Sequence, residues 1–175
     1  HEMSTCFADL LSDRQVTFIP GDAEQLSFPS GQDLIVSCSA LQWFVSPELF
    51  FKRCNALLSG HGYFAFSTFG KENLKEIAAV TGSGLHYYSL EELKKSLSMH
   101  YNIVTAGEER IRLTFATPLD VLYHLKHTGV TAVCRQAWTK GDLQEFCDKY
   151  AKLFSCGNAV TLTYHPLYII ARKKP

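Results

Sequence analysis

An α/β three-layer sandwich is the expected architecture, on three observations. Asp33–Cys38 is a near-continuous apolar run, which suits a strand covered on both faces as in a parallel sheet. A well-signalled helix and a second apolar run follow directly, as in a parallel strand–helix–strand crossover. Helices and strands then alternate up to a closing β segment.

Taken in order, residues 1–12 read as the end of a helix. Val16, Phe18 and Ile19 make a strand-like run that stops at Pro20-Gly21. After the Asp33–Cys38 strand, Ser46-Pro47-Glu48 opens a helix: Ser can cap, Pro fits the first turn, and Glu favours the N-terminus. Phe50, Phe51, Cys54, Leu57 and Leu58 continue at helical spacing, and Gly60 is the expected stop. Tyr63–Ser67 reads as a second buried strand. A helix is expected over 71–80, with Leu74, Ile77 and Ala78 on one face, and then a loop at Thr81–Gly84. Ser89-Leu90-Glu91-Glu92 has the capping-box pattern and opens an amphipathic helix to Leu97. Segments 101–106 and 109–116 read as strands around Gly107-Glu108. Thr117-Pro118-Leu119-Asp120 opens a helix to about Lys126, and Thr139–Phe154 makes another. Val160–Arg172 reads as a closing strand or hairpin, interrupted at Pro166.

The composition sets bounds. The chain has 175 residues, 46% hydrophobic and 19% charged, which fits one folded domain over 1–175 rather than disorder. Seventeen Lys+Arg balance seventeen Asp+Glu, so a generally basic nucleic-acid binder is disfavoured. No apolar run reaches the roughly 18 residues of a membrane helix, so no membrane partner is expected. The six cysteines form no CxxC pair and no zinc-like spacing with histidine, so no metal site is expected. They read as buried free thiols of a reducing compartment, which places the chain in the cytoplasm.

The loops after the strands are where a ligand crevice belongs in an open α/β sheet. Gly21-Asp22-Ala23-Glu24 is one of them. Its carboxylate could accept from an amino group and an adjacent backbone N–H could donate to a ring nitrogen, as an adenine edge requires. An ordinary loop cap is the other reading. Ser37-Cys38-Ser39-Ala40-Leu41-Gln42-Trp43 is the second, with small polar residues, an amide and an aromatic, which suits a small polar ligand with an apolar part. A core Trp with a loop-capping Gln is its bland alternative. His61 reads as a solvated turn residue, and His86 as a pocket or loop residue. His124, Lys126 and His127, with Arg135 and Lys140, could form a patch for an acidic partner or simply a solvated face. Tyr164-His165-Pro166 could line a pocket or form a structural pair. GxSxG, HExxH and GxGxxG are all absent, and no cysteine stands out as a nucleophile.

Gly21–Glu24, Asp33–Cys38, Ser39–Trp43 and Phe64-Ala65-Phe66-Ser67-Thr68-Phe69 together resemble class I S-adenosylmethionine-dependent methyltransferases. Leu122–Val130 and Leu162–Tyr168 sharpen the resemblance to one family, the malonyl-acyl-carrier-protein O-methyltransferases of biotin synthesis. The likeness starts beyond that family's first strand and glycine-rich loop. The implied fold is thus an incomplete Rossmann-like class I methyltransferase lacking the first two strands, with 1–175 as its C-terminal two-thirds. An exposed sheet edge follows, where the chain could associate with itself.

The resemblance implies S-adenosylmethionine as cofactor and methyl transfer to the free carboxylate of a malonyl thioester. The thioester would be carried by acyl-carrier protein or coenzyme A. It assigns Gly21, Asp22 and Ala23 to the adenine side, Ser37 and Cys38 to the methionine side, and Gln42 and Trp43 to the methyl-transfer side. Lys126, Thr128, Tyr164 and His165 become substrate-side candidates, and Lys126, Arg135 and Lys140 a docking face for an acidic carrier protein. No catalytic dyad is implied. Two alternatives stay open. One is another small-molecule methyltransferase of this fold, with His86 or His165 as base. The other is a non-enzymatic oligomerisation or carrier-binding fragment.

Overall fold

The computed structural model of the chain describes residues 15–130 and 138–175. The expected helix at 1–12, Cys6, Cys134 and Arg135 lie outside these residues. The fold begins with β1 (Gln32–Cys38), a short 3-10 turn at Leu41–Trp43, α1 (Pro47–Leu57) and β2 (Leu58–Phe69). β1 and β2 pair in parallel, with Ile35 opposite Phe64 and Cys38 opposite Ser67. Pro47 starts α1, where its missing N–H is harmless. Ser46 does not cap the helix with its side chain. The amides of Val45 and Ser46 instead donate to the two carboxylate oxygens of Glu24, both at 2.8 Å. A carboxylate at that position also complements the helix dipole. α1 stops at Leu57 rather than Gly60, because buried Leu58 already turns extended to enter the core.

The chain continues with α2 (Lys75–Thr81), α3 (Leu90–Leu97), β3 (Tyr101–Glu108), β4 (Ile111–Phe115) and α4 (Pro118–His127). It ends with α5 (Lys140–Phe154), β5 (Ser155–Cys156), β6 (Ala159–Tyr164) and β7 (Pro166–Lys173). Capping boxes close the starts of α3 (Ser89, Glu92), α4 (Thr117, Asp120) and α5 (Thr139, Asp142). α2 begins four residues later than expected. Residues 71–74 form a turn, and Leu74 takes a left-handed conformation at φ 52°.

The strands divide between two sheets. One has the order β1-β2-β7-β3 and the other β4-β6-β5. β7 runs antiparallel to both β2 and β3. The expected strand pair at 101–116 therefore splits, with β3 in the larger sheet and β4 against β6 in the smaller one. The closing segment 160–172 splits in the same way at His165. Residues 16–19 form no strand, despite their β-branched content. Val16 and Ile19 remain about 40% exposed with no neighbouring strand among the described residues.

Two hydrophobic clusters follow from this layout. α1 and α3 bury Phe51, Cys54, Leu93 and Leu97 against Phe64, Phe66, Leu167 and Ile169 of the larger sheet. α2, α4 and α5 bury Ile77, Val121, Leu125, Phe146 and Tyr150 against Val160 and Leu162 of the smaller one. The opposite face of the larger sheet stays open among the described residues. Leu34 and Val36 are more than half exposed there, against the expectation that Asp33–Cys38 is covered on both faces. The cysteines match the expectation of buried free thiols only in part. Cys54 is buried, and burial pushes its thiol up to about 12. Cys38 on the open strand and Cys156 at the surface are exposed, and Cys147 is half-buried; all four are free thiols.

Candidate functional site

The carboxyl ends of parallel β1 and β2 lie side by side, and two loops meet around them. The first is the tight turn at 21–26. Asp22 Oδ1 accepts the Glu24 amide and Oδ2 accepts the Gln25 side chain, each at 2.9 Å, while its carbonyl accepts the Gln25 and Leu26 amides. Both carboxylate oxygens keep further acceptor capacity. Glu24 straps this turn to the loop before α1.

The second loop follows β1. Ser39 takes a left-handed backbone, φ 49°, and its amide donates to Ser67 of β2. The Gln42 amide donates to the Ser39 carbonyl and accepts from the Thr68 hydroxyl, joining both strand ends. Gln42 is thus a strut of the site, and Trp43 is half-exposed beside it rather than a core residue.

Two hollows flank this loop. A cleft of about 460 Å³ is lined by Ala23, Phe28, Ser37, Cys38 and Leu57. It gathers three of the residues assigned from sequence to a cofactor, while Gly21 and Asp22 form the exposed turn leading into Ala23. A larger hollow of about 960 Å³ takes in Gln42 and Trp43 with Lys71, Asn73, His86 and Tyr87. His86 is exposed and packs edge-on against Tyr88, ring centroids 5.0 Å apart.

The substrate-side candidates separate. Tyr164 and Thr128 share one cluster: the Tyr164 hydroxyl meets His124 Nε2 at 2.9 Å, and the Thr128 hydroxyl donates to the carbonyls of His124 and Leu125. Lys126 is exposed on the last turn of α4, and Lys140 is exposed at the start of α5. His165 lies elsewhere, 3% exposed at the junction of the two sheets. Its Nδ1 accepts the Glu72 amide at 3.1 Å, so Nε2 carries the proton toward Glu108, also at 3.1 Å. A methyl group at Gly70 would sit 2.6 Å from this ring, so only glycine admits the contact. His61 is also not a turn residue: it lies in β2, against Arg172 at 3.1 Å.

Arg110 closes the junction by pairing with Glu72 and Glu108. Arg110 and then Lys75 hold the Glu72 carboxyl down at about 2. His165 and then Arg110 lower Glu108. A carboxyl depressed in the folded state stabilises the fold above its ordinary value and loses that contribution as pH falls. The urea midpoint of Arg110→Met should therefore fall below wild type at neutral pH. The gap should close as pH drops from 4.5 to about 2. A gap unchanged over that range would contradict the assignment.

Sequence reasoning missed Glu24, Asn73 and Tyr87. Glu24 stood inside a recognised segment, but its partners lie 21 and 22 residues away. Asn73 and Tyr87 belong to no motif. Asn73 is 5% exposed; its Oδ1 accepts the His165 amide and its Nδ2 donates to the Tyr87 hydroxyl.

This arrangement, a ligand crevice beyond the carboxyl ends of parallel strands with antiparallel β7 beside them, is that of the class I Rossmann-like methyltransferases. A candidate methyltransferase from Bacillus halodurans C-125 superposes with TM-score 0.67 at 17% identity, over 99% of this chain and 78% of its own. N-methyltransferase NodS from Bradyrhizobium japonicum, solved with S-adenosyl-L-homocysteine, superposes with TM-score 0.50 at 12% identity. That match covers 99% of this chain and 62% of NodS. A methyltransferase-domain family model matches residues 1–66. The malonyl-[acyl-carrier protein] O-methyltransferase of Bacteroides thetaiotaomicron is 56% identical over 183 residues, covering 99% of this chain and 70% of that protein. The enzyme of the same name from Bacteroides fragilis is also 56% identical, over 99% of this chain and 35% of its own length. The chain belongs to the malonyl-[acyl-carrier protein] O-methyltransferase family.

Proposed function

We propose that the chain serves methyl transfer from S-adenosylmethionine to the free carboxylate of a malonyl thioester on acyl-carrier protein, a step of biotin synthesis in the cytoplasm. The observation that carries this reading is its 56% identity to a named family member across 99% of its own length. The residues present suit the cofactor. Ala23, Ser37 and Cys38 line an apolar-walled cleft, and Asp22 retains acceptor capacity for an exocyclic amino group. The Ala23 backbone would meet a ring nitrogen, and the Ser37 and Cys38 backbones the methionine part. Gly21 allows the turn that presents Asp22.

The cofactor supplies an electrophilic methyl group on a sulfonium. A carboxylate acceptor, with a reference pKa of about 4, is already ionised near neutral pH and needs no general base. What remains for this chain is orientation, an effect that can contribute roughly 7–11 kcal/mol. The strut formed by Gln42 between Ser39 and Thr68 would hold the methyl-transfer side in place, with Trp43 shaping it. Lys126 and Lys140 would meet an acidic carrier protein, and Thr128 and Tyr164 would line its approach. The placement of His165 favours a structural part for it over substrate contact. The outer edge of β1 offers a place for self-association.

Two measurements test the reading. Calorimetric titration with S-adenosyl-L-homocysteine should show one site per chain, weakened when Ala23→Asp fills the cleft. Labelled methyl should reach malonyl-acyl-carrier protein or malonyl-coenzyme A and leave a phenolic acceptor unlabelled. Absence of binding, or preference for the phenol, would overturn it.

A further inference from the structure

We infer that the Tyr87 hydroxyl is the donor that holds the acceptor carboxylate, with buried Asn73 as the residue that aims it. This deepens the reading above and rests on it. The argument is one of hydrogen-bond direction. The Asn73 side chain is fixed because its carbonyl oxygen accepts the backbone N–H of His165 at 3.2 Å. Its amide nitrogen therefore faces Tyr87 and donates to the phenol oxygen at 3.1 Å. An oxygen that accepts there must send its own proton elsewhere. Among the described residues no acceptor takes that proton, and Tyr87 lines the large hollow that Gln42 and Trp43 also line.

Both lysines at this hollow are committed to carboxylates. Lys71 pairs with Glu92 at 2.6 Å and Lys75 with Glu72 at 2.9 Å. Burial keeps the Tyr87 hydroxyl protonated, since it raises the phenol above its ordinary range. A neutral O–H facing an anionic carboxylate makes a short, charge-assisted bond. Methylation converts that carboxylate to a neutral ester, a weaker acceptor, so the same contact discriminates acid from product. Asn73 in turn hangs on the backbone of His165, whose ring is packed against Gly70 and bonded to Glu108. The sheet junction thereby sets the direction of one hydroxyl in the hollow.

The test compares malonyl-coenzyme A with its methyl ester, by calorimetry in the presence of S-adenosyl-L-homocysteine. Wild type should prefer the acid by about tenfold or more, as loss of a hydrogen bond to a charged group implies. Tyr87→Phe removes the proton and should abolish the preference. Asn73→Asp is isosteric, but its carboxylate would accept both the His165 N–H and the Tyr87 proton, turning that proton away from the hollow. It should abolish the preference with the phenol still in place, and the double variant should lose nothing more. Thermal denaturation identifies any variant that fails to fold. If Asn73→Asp does, Tyr87→Phe decides alone. Retention of the preference by Tyr87→Phe, or its absence in wild type, overturns the inference. A Tyr87-dependent preference with no methyl moved from labelled S-adenosylmethionine would instead sink the proposed activity and leave the carboxylate site standing.

Discussion

Phe64→Ala should lower the stability of the fold by about 3–5 kcal/mol, the range for deleting a fully buried aromatic side chain. Phe64 is wholly inaccessible to solvent in the larger sheet. Its ring lies 5.0 Å from that of Phe66, 5.9 Å from both Phe51 and Tyr101, and 6.3 Å from Phe50. It thereby joins α1, β2 and β3, and the Tyr101 hydroxyl locks the same cluster by donating to the Phe51 carbonyl at 2.8 Å. The surrounding rings belong to separate elements and cannot all collapse into the space left. Val45→Ala is the control. Val45 is 90% exposed, and its truncation should stay within about 0.5 kcal/mol of wild type. Urea denaturation reads both; a Phe64→Ala midpoint close to that of Val45→Ala would refute the packing account.

The second large effect falls in the smaller core. Glu76 on α2 is 2% exposed, and its carboxylate accepts both the backbone N–H of Thr163, at 3.0 Å, and the Thr163 hydroxyl, at 2.6 Å. Among the described residues no ion pair includes it. Its contribution is therefore that of an acceptor pinning α2 to β6. Glu76→Ala orphans a buried N–H and leaves a void, which together should cost roughly 2–4 kcal/mol. Glu76→Gln keeps one acceptor for the N–H, and its amide can donate to the threonine oxygen. It should stay within about 1 kcal/mol of wild type in the same denaturation experiment. Equal losses for the two variants would mean that charge, not hydrogen bonding, matters at this position.

Local chemistry made much of the fold legible. α3, α4 and α5 start where Ser89, Thr117 and Thr139 meet an acidic residue three positions on, and a capping box is a short-range device. β1 and β2 were visible as apolar runs. The break beside Pro166 was visible too, but the assignment of its two halves to different sheets was not, because Val160–Arg172 is apolar on both sides of His165. Where the chain changes sheets, His165 makes a long-range contact, packed against Gly70 with the Glu72 amide and Glu108 on its ring. The Glu72 amide, in the turn before α2, is bonded to that ring rather than to helix backbone. Residues 16–19 have a local preference for a strand and yet take no strand conformation, which shows how strongly context governs that preference.

The candidate site divides along the same line. Ala23, Ser37 and Cys38 follow strand ends or turns, and the fold gathers them on one cleft. The Asn73–Tyr87 pair is anchored through a bond from a residue 92 positions further along the chain, and no spacing rule announces it. Tyr164 and His165 are adjacent in sequence yet face different surroundings, since successive residues of an extended segment point to opposite sides.

The most direct test of the account is the fate of the methyl group. The protein should be incubated with S-adenosylmethionine and malonyl-coenzyme A or malonyl-acyl-carrier protein, and the product fragmented in a mass spectrometer. The account predicts one added methyl on the terminal carboxylate of the malonyl arm, removable by mild base as an ester is. A methyl on carbon or sulfur, or none on the malonyl arm while the cofactor is consumed on another acceptor, would contradict it.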